Sequence, residues 1–156
     1  AGICGSFDRS LALGEVVRVH TDIMPGLGAE DDEQFIGIHD LNLLGKDEFP
    51  YRDGFLHGSV APEFGLLSKL RAVSGITVNK VHGNESSIAK TVARHHPQVE
   101  SMEGAAFLYA CAIAGVPAVQ VRAVSNYVEK RNRAAWKIGE AVKHLNAALF
   151  NYFDQR

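Results

Sequence analysis

Cysteine is scarce in this chain, with Cys4 and Cys111 the two in 156 residues, each inside an apolar run. Two such thiols do not make a disulfide framework. They read as buried, reduced side chains, which points to an intracellular, cytoplasmic setting. A chain of this length buries about 68–70% of the surface its unfolded form exposes, so it needs no staples. An excess of one charge is also missing: 16 Lys and Arg stand against 18 Asp and Glu, for a formal net charge of −2. That balance gives no basic face for a phosphate backbone, and nucleic acid is not an expected partner. Repeats, low-complexity tracts and Pro/Gly/Ser linkers are absent. With 46% hydrophobic and 22% charged residues, the composition excludes wholesale disorder and fits one domain over residues 1–156.

One uncharged run, Gly104 to Val121, covers 18 positions and comes near the length of a membrane span. Gly115-Val116-Pro117 divides it. Glycine is the usual residue just past a helix, and a proline soon after cannot continue one. A buried helix followed by a buried strand is expected, with no membrane partner. No zinc motif is present: His20, His39, His57 and His82 lack ligand spacing, and the adjacent His95 and His96 cannot share a helical face, so no metal or other cofactor is expected.

The remaining pattern alternates strands with helices. Gly14–His20 is Val-rich and partly alternating, and Gly75–Val81 reads as a second strand ending at Gly83. Met24–Tyr51 is polar and Gly-rich, and its acidic cluster Glu30-Asp31-Asp32-Glu33 suits a solvated loop. Phe64, Leu67, Leu70 and Val73 recur every third residue and predict a short amphipathic helix from Pro62 to Val73. Asn84, Ser86 or Ser87 can cap the next helix, with Ile88, Ala89, Val92 and Ala93 inward and Pro97 closing it. Ser101 is a plausible cap for an apolar, central helix over Glu103–Ala114, and strand Val116–Ser125 follows. A last helix, about Ala134 to Tyr152, is expected to bury Ile138, Val142, Leu145 and Leu149. The fold class is α/β, a mixed central sheet flanked by helices. The opening Ala1–Ser6 has no Met and reads as the end of a core strand, so the chain is expected to be an N-terminally truncated piece of a larger domain.

Ligands in such folds gather at strand carboxyl ends, which singles out Gly5-Ser6, Gly83-Asn84 and Ser125-Asn126. A fourth polar place is Glu100-Ser101-Met102-Glu103. There Glu103 either complements a helix dipole or faces a cleft and accepts two hydroxyl donors, as from a ribose. Arg122 in an apolar strand calls for a carboxylate partner. Lys130-Arg131-Asn132-Arg133 reads as a solvated turn, and Phe35 and Phe55 as packing residues.

The segments Val99-Glu100-Ser101-Met102-Glu103-Gly104-Ala105-Ala106, Gly115-Val116-Pro117 and Val121-Arg122-Ala123-Val124-Ser125-Asn126 resemble the second half of the nucleoside phosphorylase and nucleosidase superfamily. The Gly-rich opening and Leu13-Gly14-Glu15-Val16-Val17 resemble its glycine-rich turn and the strand after it. Within the superfamily, ESMEGAAF and RAVSNYVE are most similar to the futalosine hydrolase family. The resemblance implies that Glu103 holds the 2′ and 3′ hydroxyls and Met102 packs on the sugar. It places Asn126, with Ser125 beside it, at the purine-reading position, where related methylthioadenosine nucleosidases carry Asp. It puts Ser6 near the attacking water or base, and Gly83 and Asn84 in the segment bordering the purine. The family's N-terminal strand, with its water-positioning acid, has no counterpart here.

The implied activity is hydrolysis of the N-glycosidic bond of a 6-oxopurine nucleoside, most closely futalosine, in menaquinone biosynthesis. A homo-oligomer is implied, as is the absence of any cofactor. The rivals are methylthioadenosine/S-adenosylhomocysteine nucleosidase, purine nucleoside phosphorylase, and a nucleoside-binding domain without turnover. Asn126 favours the 6-oxo base. Its amide donates to the carbonyl while its oxygen accepts from a protonated N7, whereas an aminopurine suits a protonated Asp. A mismatched pair costs roughly 1–3 kcal/mol.

Overall fold

The computed structural model describes residues 1–59 and 62–155. Its centre is a ring of five strands. These are β1 (Gly2–Ser6), β2 (Val16–Ile23), β6 (Ala72–Thr77), β7 (Val99–Ser101) and β8 (Gln120–Tyr127), hydrogen-bonded in the order β2-β6-β7-β1-β8 and back to β2. The two-residue β5 (Leu56–His57) adds to β2 outside the ring. The β2–β6, β6–β7 and β1–β8 pairs are parallel, and β1–β7 and β2–β8 antiparallel. The sheet is therefore mixed, as expected. Its closure was not foreseen, because closure depends on pairings between strands far apart in sequence.

Alternation along the strands fills the ring. Cys4, Val17, Val19, Val73, Val99 and Val124, one or two from each ring strand, form a single cluster with Leu11. Each such side chain contributes about 1.5–3 kcal/mol by leaving water. The alternate β8 residues Val121 and Ala123 pack with Leu67, Ala141, Leu145 and Tyr152 under α3 (Ile138–Asp154). A third cluster joins Ala105 and Leu108 of α2 (Gly104–Ile113) to Tyr51, Leu56 and Ala118.

Several expectations are corrected here. The acidic cluster is solvated but belongs to a hairpin, β3 (Gly28–Asp31) and β4 (Gln34–Gly37), with Asp32 at φ 54° in its turn. The Pro62 segment is 3₁₀ over Pro62–Lys69 but is broken by a kink at Gly65 (φ 46°, ψ −117°), so Phe64 and Leu67 do not sit on one continuous helix and Leu70 lies beyond it. Val73 lies instead in β6, fully buried. Helix α1 (Glu85–His95) is capped by Asn84 as expected, but it buries no residue, and Ala89, Val92 and Ala93 are exposed. The apolar α2 is not central: Phe107, Tyr109 and Ile113 are exposed. On α3, Ile138 and Val142 are exposed, while Leu145 is buried. Cys4 is buried, its thiol pushed up to about 12 by desolvation, whereas Cys111 is half-buried. No helix among the described residues is long and apolar enough to cross a membrane.

Candidate functional site

The β1 strand organises the site because both neighbours meet it at one residue. Gly5 is paired with Glu100 of β7 on one side and with Asn126 of β8 on the other. Between Cys4 and Gly5 the register shifts, so that one step on β1 spans Val124 to Asn126 on β8. Such irregularities re-aim side chains. A Cβ on Gly5 would stand 3.0 Å from Val128 Cγ2, 3.2 Å from Asn126 Nδ2 and 3.4 Å from Glu100 Cγ, so glycine lets these three side chains close in on β1.

The amide is oriented by its neighbours. The Ser125 hydroxyl shares its hydrogen between the Cys4 carbonyl at 3.1 Å and Asn126 Oδ1 at 2.8 Å. Asn126 Nδ2 donates to the Tyr127 carbonyl at 3.1 Å. An amide has two donors and two acceptor positions. One of each is used here, leaving one donor and one acceptor, which is the pair a 6-oxopurine edge requires.

Glu103 precedes α2 at its N-cap position and makes no side-chain capping bond. Its Oε2 accepts from Arg122 Nη1 at 3.0 Å. The Arg122 side chain is 8% exposed and that of Glu103 is 69% exposed. The cation is thus held inside the ring, where it also donates toward the Ile3 carbonyl and Gln120 Oε1, both at 3.4 Å. The partner expected for Arg122 is therefore Glu103, whose other face is open to a ligand. Met102 beside it is 49% exposed. Ser101 Oγ accepts from the Gly104 N–H at 3.3 Å, but the N-cap position expected of Ser101 is occupied by Glu103.

Two positions depart from expectation. Ser6 is wholly buried, and its hydroxyl is directed at the Asp8 and Gln98 carbonyls at 2.9 and 3.2 Å. It fixes the turn after β1 and does not reach a water-accessible face. Asn84 Oδ1 is taken by the Ser87 N–H at 3.2 Å, so its side chain serves the α1 cap, while Gly83 packs against Arg131. Two cavities of about 300 and 320 Å³ lie around the loop that follows β2, and neither is lined by Met102, Glu103 or Asn126. Phe35 and Phe55 line the first.

The sequence reading missed Glu100 and its partner. Glu100 is 3% exposed and accepts from the His82 backbone N–H at 3.1 Å and from His82 Nδ1 at 2.6 Å. His82 Nε2 meets Thr91 Oγ1 at 2.9 Å. Burial raises the Glu100 carboxyl, against the hydrogen bonds from His82. The pair ties the segment before α1 to β7, which β1 separates from Asn126. Glu100→Ala is expected to leave these donors unpaired and cost about 1–3 kcal/mol in a urea titration.

Asp22 was also missed. It is 1% exposed on β2, paired with Gly75 of β6, and desolvation pushes its carboxyl up to about 7, opposed by Thr77, Arg122 and Gln120. The folded protein keeps a proton that the unfolded chain releases above 3.8. Stability from this group therefore falls as pH rises from about 4 to about 7. Gly104 lies over the same spot, and an added Cβ would collide with Gln120 Oε1 and Asp22 Oδ2. Gly104→Ala gains up to about 1 kcal/mol in helix propensity. Overpacking against buried polar groups costs about 1–3 kcal/mol, so a net loss of stability is expected in thermal unfolding.

The site thus combines a closed mixed sheet with helices outside it, an arginine-held acid at a helix start and an amide at the register shift. The chain belongs to the Phosphorylase superfamily, whose family model matches residues 1–153. It is 30% identical over 151 residues to a futalosine hydrolase of Thermus thermophilus, covering 95% of this chain and 65% of that protein. It is 39% identical over 157 residues to a futalosine hydrolase of Acidothermus cellulolyticus, covering 95% and 60%. The native structure of futalosine hydrolase of Helicobacter pylori superposes with a TM-score of 0.75 at 14% identity, covering 100% of this chain and 66% of that one, a likeness of fold. The chain thus spans less than two thirds of the length of these relatives.

Proposed function

We propose that this chain carries the sugar- and base-holding part of a nucleosidase that hydrolyses the N-glycosidic bond of a 6-oxopurine nucleoside, futalosine being the substrate of first choice. The observation that carries the reading is the free donor and free acceptor left on Asn126 after Ser125 and Tyr127 have taken their share. Similarity to futalosine hydrolases over 95% of the chain supports the same substrate. Glu103 accepts the ribose 2′ and 3′ hydroxyls, and Met102 packs on the sugar. The bond between C1′ and N9 breaks with its electron pair leaving on the base. N7 takes a proton from solvent, and Asn126 accepts that N7–H while donating to the 6-carbonyl. Water adds to the oxocarbenium-like carbon and releases a proton. The products are hypoxanthine and the free sugar derivative, a step of menaquinone biosynthesis in the cytoplasm. The working form is a homo-oligomer, in keeping with the exposed apolar Phe107, Ile113 and Val116.

Incubation with futalosine, inosine and methylthioadenosine, with and without phosphate, tests the reading by chromatography of the freed base. Hypoxanthine released without phosphate is expected, and a strict phosphate requirement would overturn hydrolysis. The open faces of Met102 and Glu103 favour one second reading, in which this length of chain binds the nucleoside without turning it over. Saturable binding with no free base would establish it.

A further inference from the structure

We propose that Asp22 is a positioning residue for the sugar-holding end of the site, acting on Glu103 along two hydrogen-bonded arms. The proposal rests on the nucleoside reading above. One arm runs through side chains. Gln120 Nε2 donates to Asp22 Oδ2 at 2.8 Å, Arg122 Nε donates toward Gln120 Oε1 at 3.4 Å, and Arg122 Nη1 donates to Glu103 Oε2 at 3.0 Å. The other arm runs through the backbone that bears Glu103. Thr77 Oγ1 donates to Asp22 Oδ1 at 3.0 Å and accepts the Ala105 N–H at 2.7 Å, in the first turn of α2. One buried carboxyl thus holds both the cation that grips Glu103 and the helix turn from which Glu103 projects.

The direction of the bonds makes the side-chain arm sensitive to a proton. An ionised Asp22 only accepts, so Gln120 must present its NH₂ to Asp22 and its carbonyl to Arg122. A protonated Asp22 places an O–H where Gln120 offers N–H. Turning the Gln120 amide to suit it then points NH₂ at the Arg122 guanidinium. Protonation at Oδ2 therefore strips Arg122 of an acceptor. The charged group facing Asp22 is Arg122 from β8. The other neighbours are Gln120 from β8, Thr77 from β6, Gly104 of α2, and Leu56 of β5 with His57 next along. Burial, which raises this carboxyl to about 7, puts the switch near neutral pH.

The test is equilibrium binding of inosine to the full chain from about pH 6 to about pH 8, in wild type, Asp22→Asn and Gln120→Met. Wild type is expected to bind inosine at least about fivefold more weakly at the acid end, a typical coupling between linked sites. Asp22→Asn is expected to flatten that dependence. Gln120→Met keeps the volume and the Asp22 carboxyl but cuts the arm, and is expected to flatten it too; it decides the matter if Asp22→Asn does not fold. Wild-type affinity that is level with pH, or a step that persists in a folded variant, overturns the proposal while the nucleoside reading stands. Failure of every form to bind inosine, methylthioadenosine or futalosine overturns that reading and the proposal with it.

Discussion

Glu103→Ala is expected to lower kcat/KM for a 6-oxopurine nucleoside by on the order of 10²-fold or more. Bond cleavage puts positive charge on the sugar ring, so a carboxylate gripping its hydroxyls interacts more strongly in the transition state than with the ground-state nucleoside. That difference is what accelerates the step. Arg122 restrains the carboxylate from one side, at 3.0 Å, and leaves the other free. Fold stability is expected to fall too, because Glu103→Ala leaves Arg122, whose side chain is 8% exposed, without its carboxylate, and removing one partner of a buried pair costs up to about 3–5 kcal/mol. Kinetics are therefore compared below the variant's unfolding midpoint, alongside Glu103→Gln, which keeps an oxygen acceptor for Arg122. Near-normal kinetics would remove Glu103 from the site.

Asn126→Asp should reverse the order of preference between 6-oxo and 6-amino purine nucleosides. Asn126 has one amide hydrogen and one carbonyl lone pair free. An ionised Asp in its place would put acceptors against the 6-carbonyl and lose the free donor. A protonated Asp suits N7 and the exocyclic amine instead. Sites built to pair a polar group reject the analogue that cannot, by about 1–3 kcal/mol for each group left unmatched. Competition between inosine and methylthioadenosine measures this directly, and unchanged selectivity would end the base-reading role of Asn126. The substitution touches no core cluster, so the comparison can be made in folded protein.

What was legible in the sequence was whatever local chemistry writes into a few adjacent residues. The Asn84 cap, the Ser101 turn, the break at Gly115 and the demand of Arg122 for an acid all rest on short-range rules, and each has its place in the structure. Features that depend on distant partners were not legible. Ring closure joins Val16–Val19 to Gln120–Ala123. His82 is separated from Glu100 by α1, and Asp22 is separated from Gln120 by most of the chain. Hydrophobic periodicity also misled on α1 and α2, because an apolar stripe signals a surface suited to burial without saying what covers it. Ser6 is wholly buried, and its bonds to the turn after β1 involve Asp8 and the distant Gln98, which local sequence does not announce.

The closed sheet has a bearing on how the protein behaves in a crowded solution. A strand bonded on both sides offers no template to a stranger, and in the ring every strand has two neighbours. Among the described residues, the rims left over are the β5 stub of two residues and the small hairpin. The hairpin carries Glu30, Asp31 and Glu33, whose mutual repulsion with any like copy discourages edge-to-edge growth. Fibril seeding is thus barred by geometry at the centre and by negative charge at the periphery.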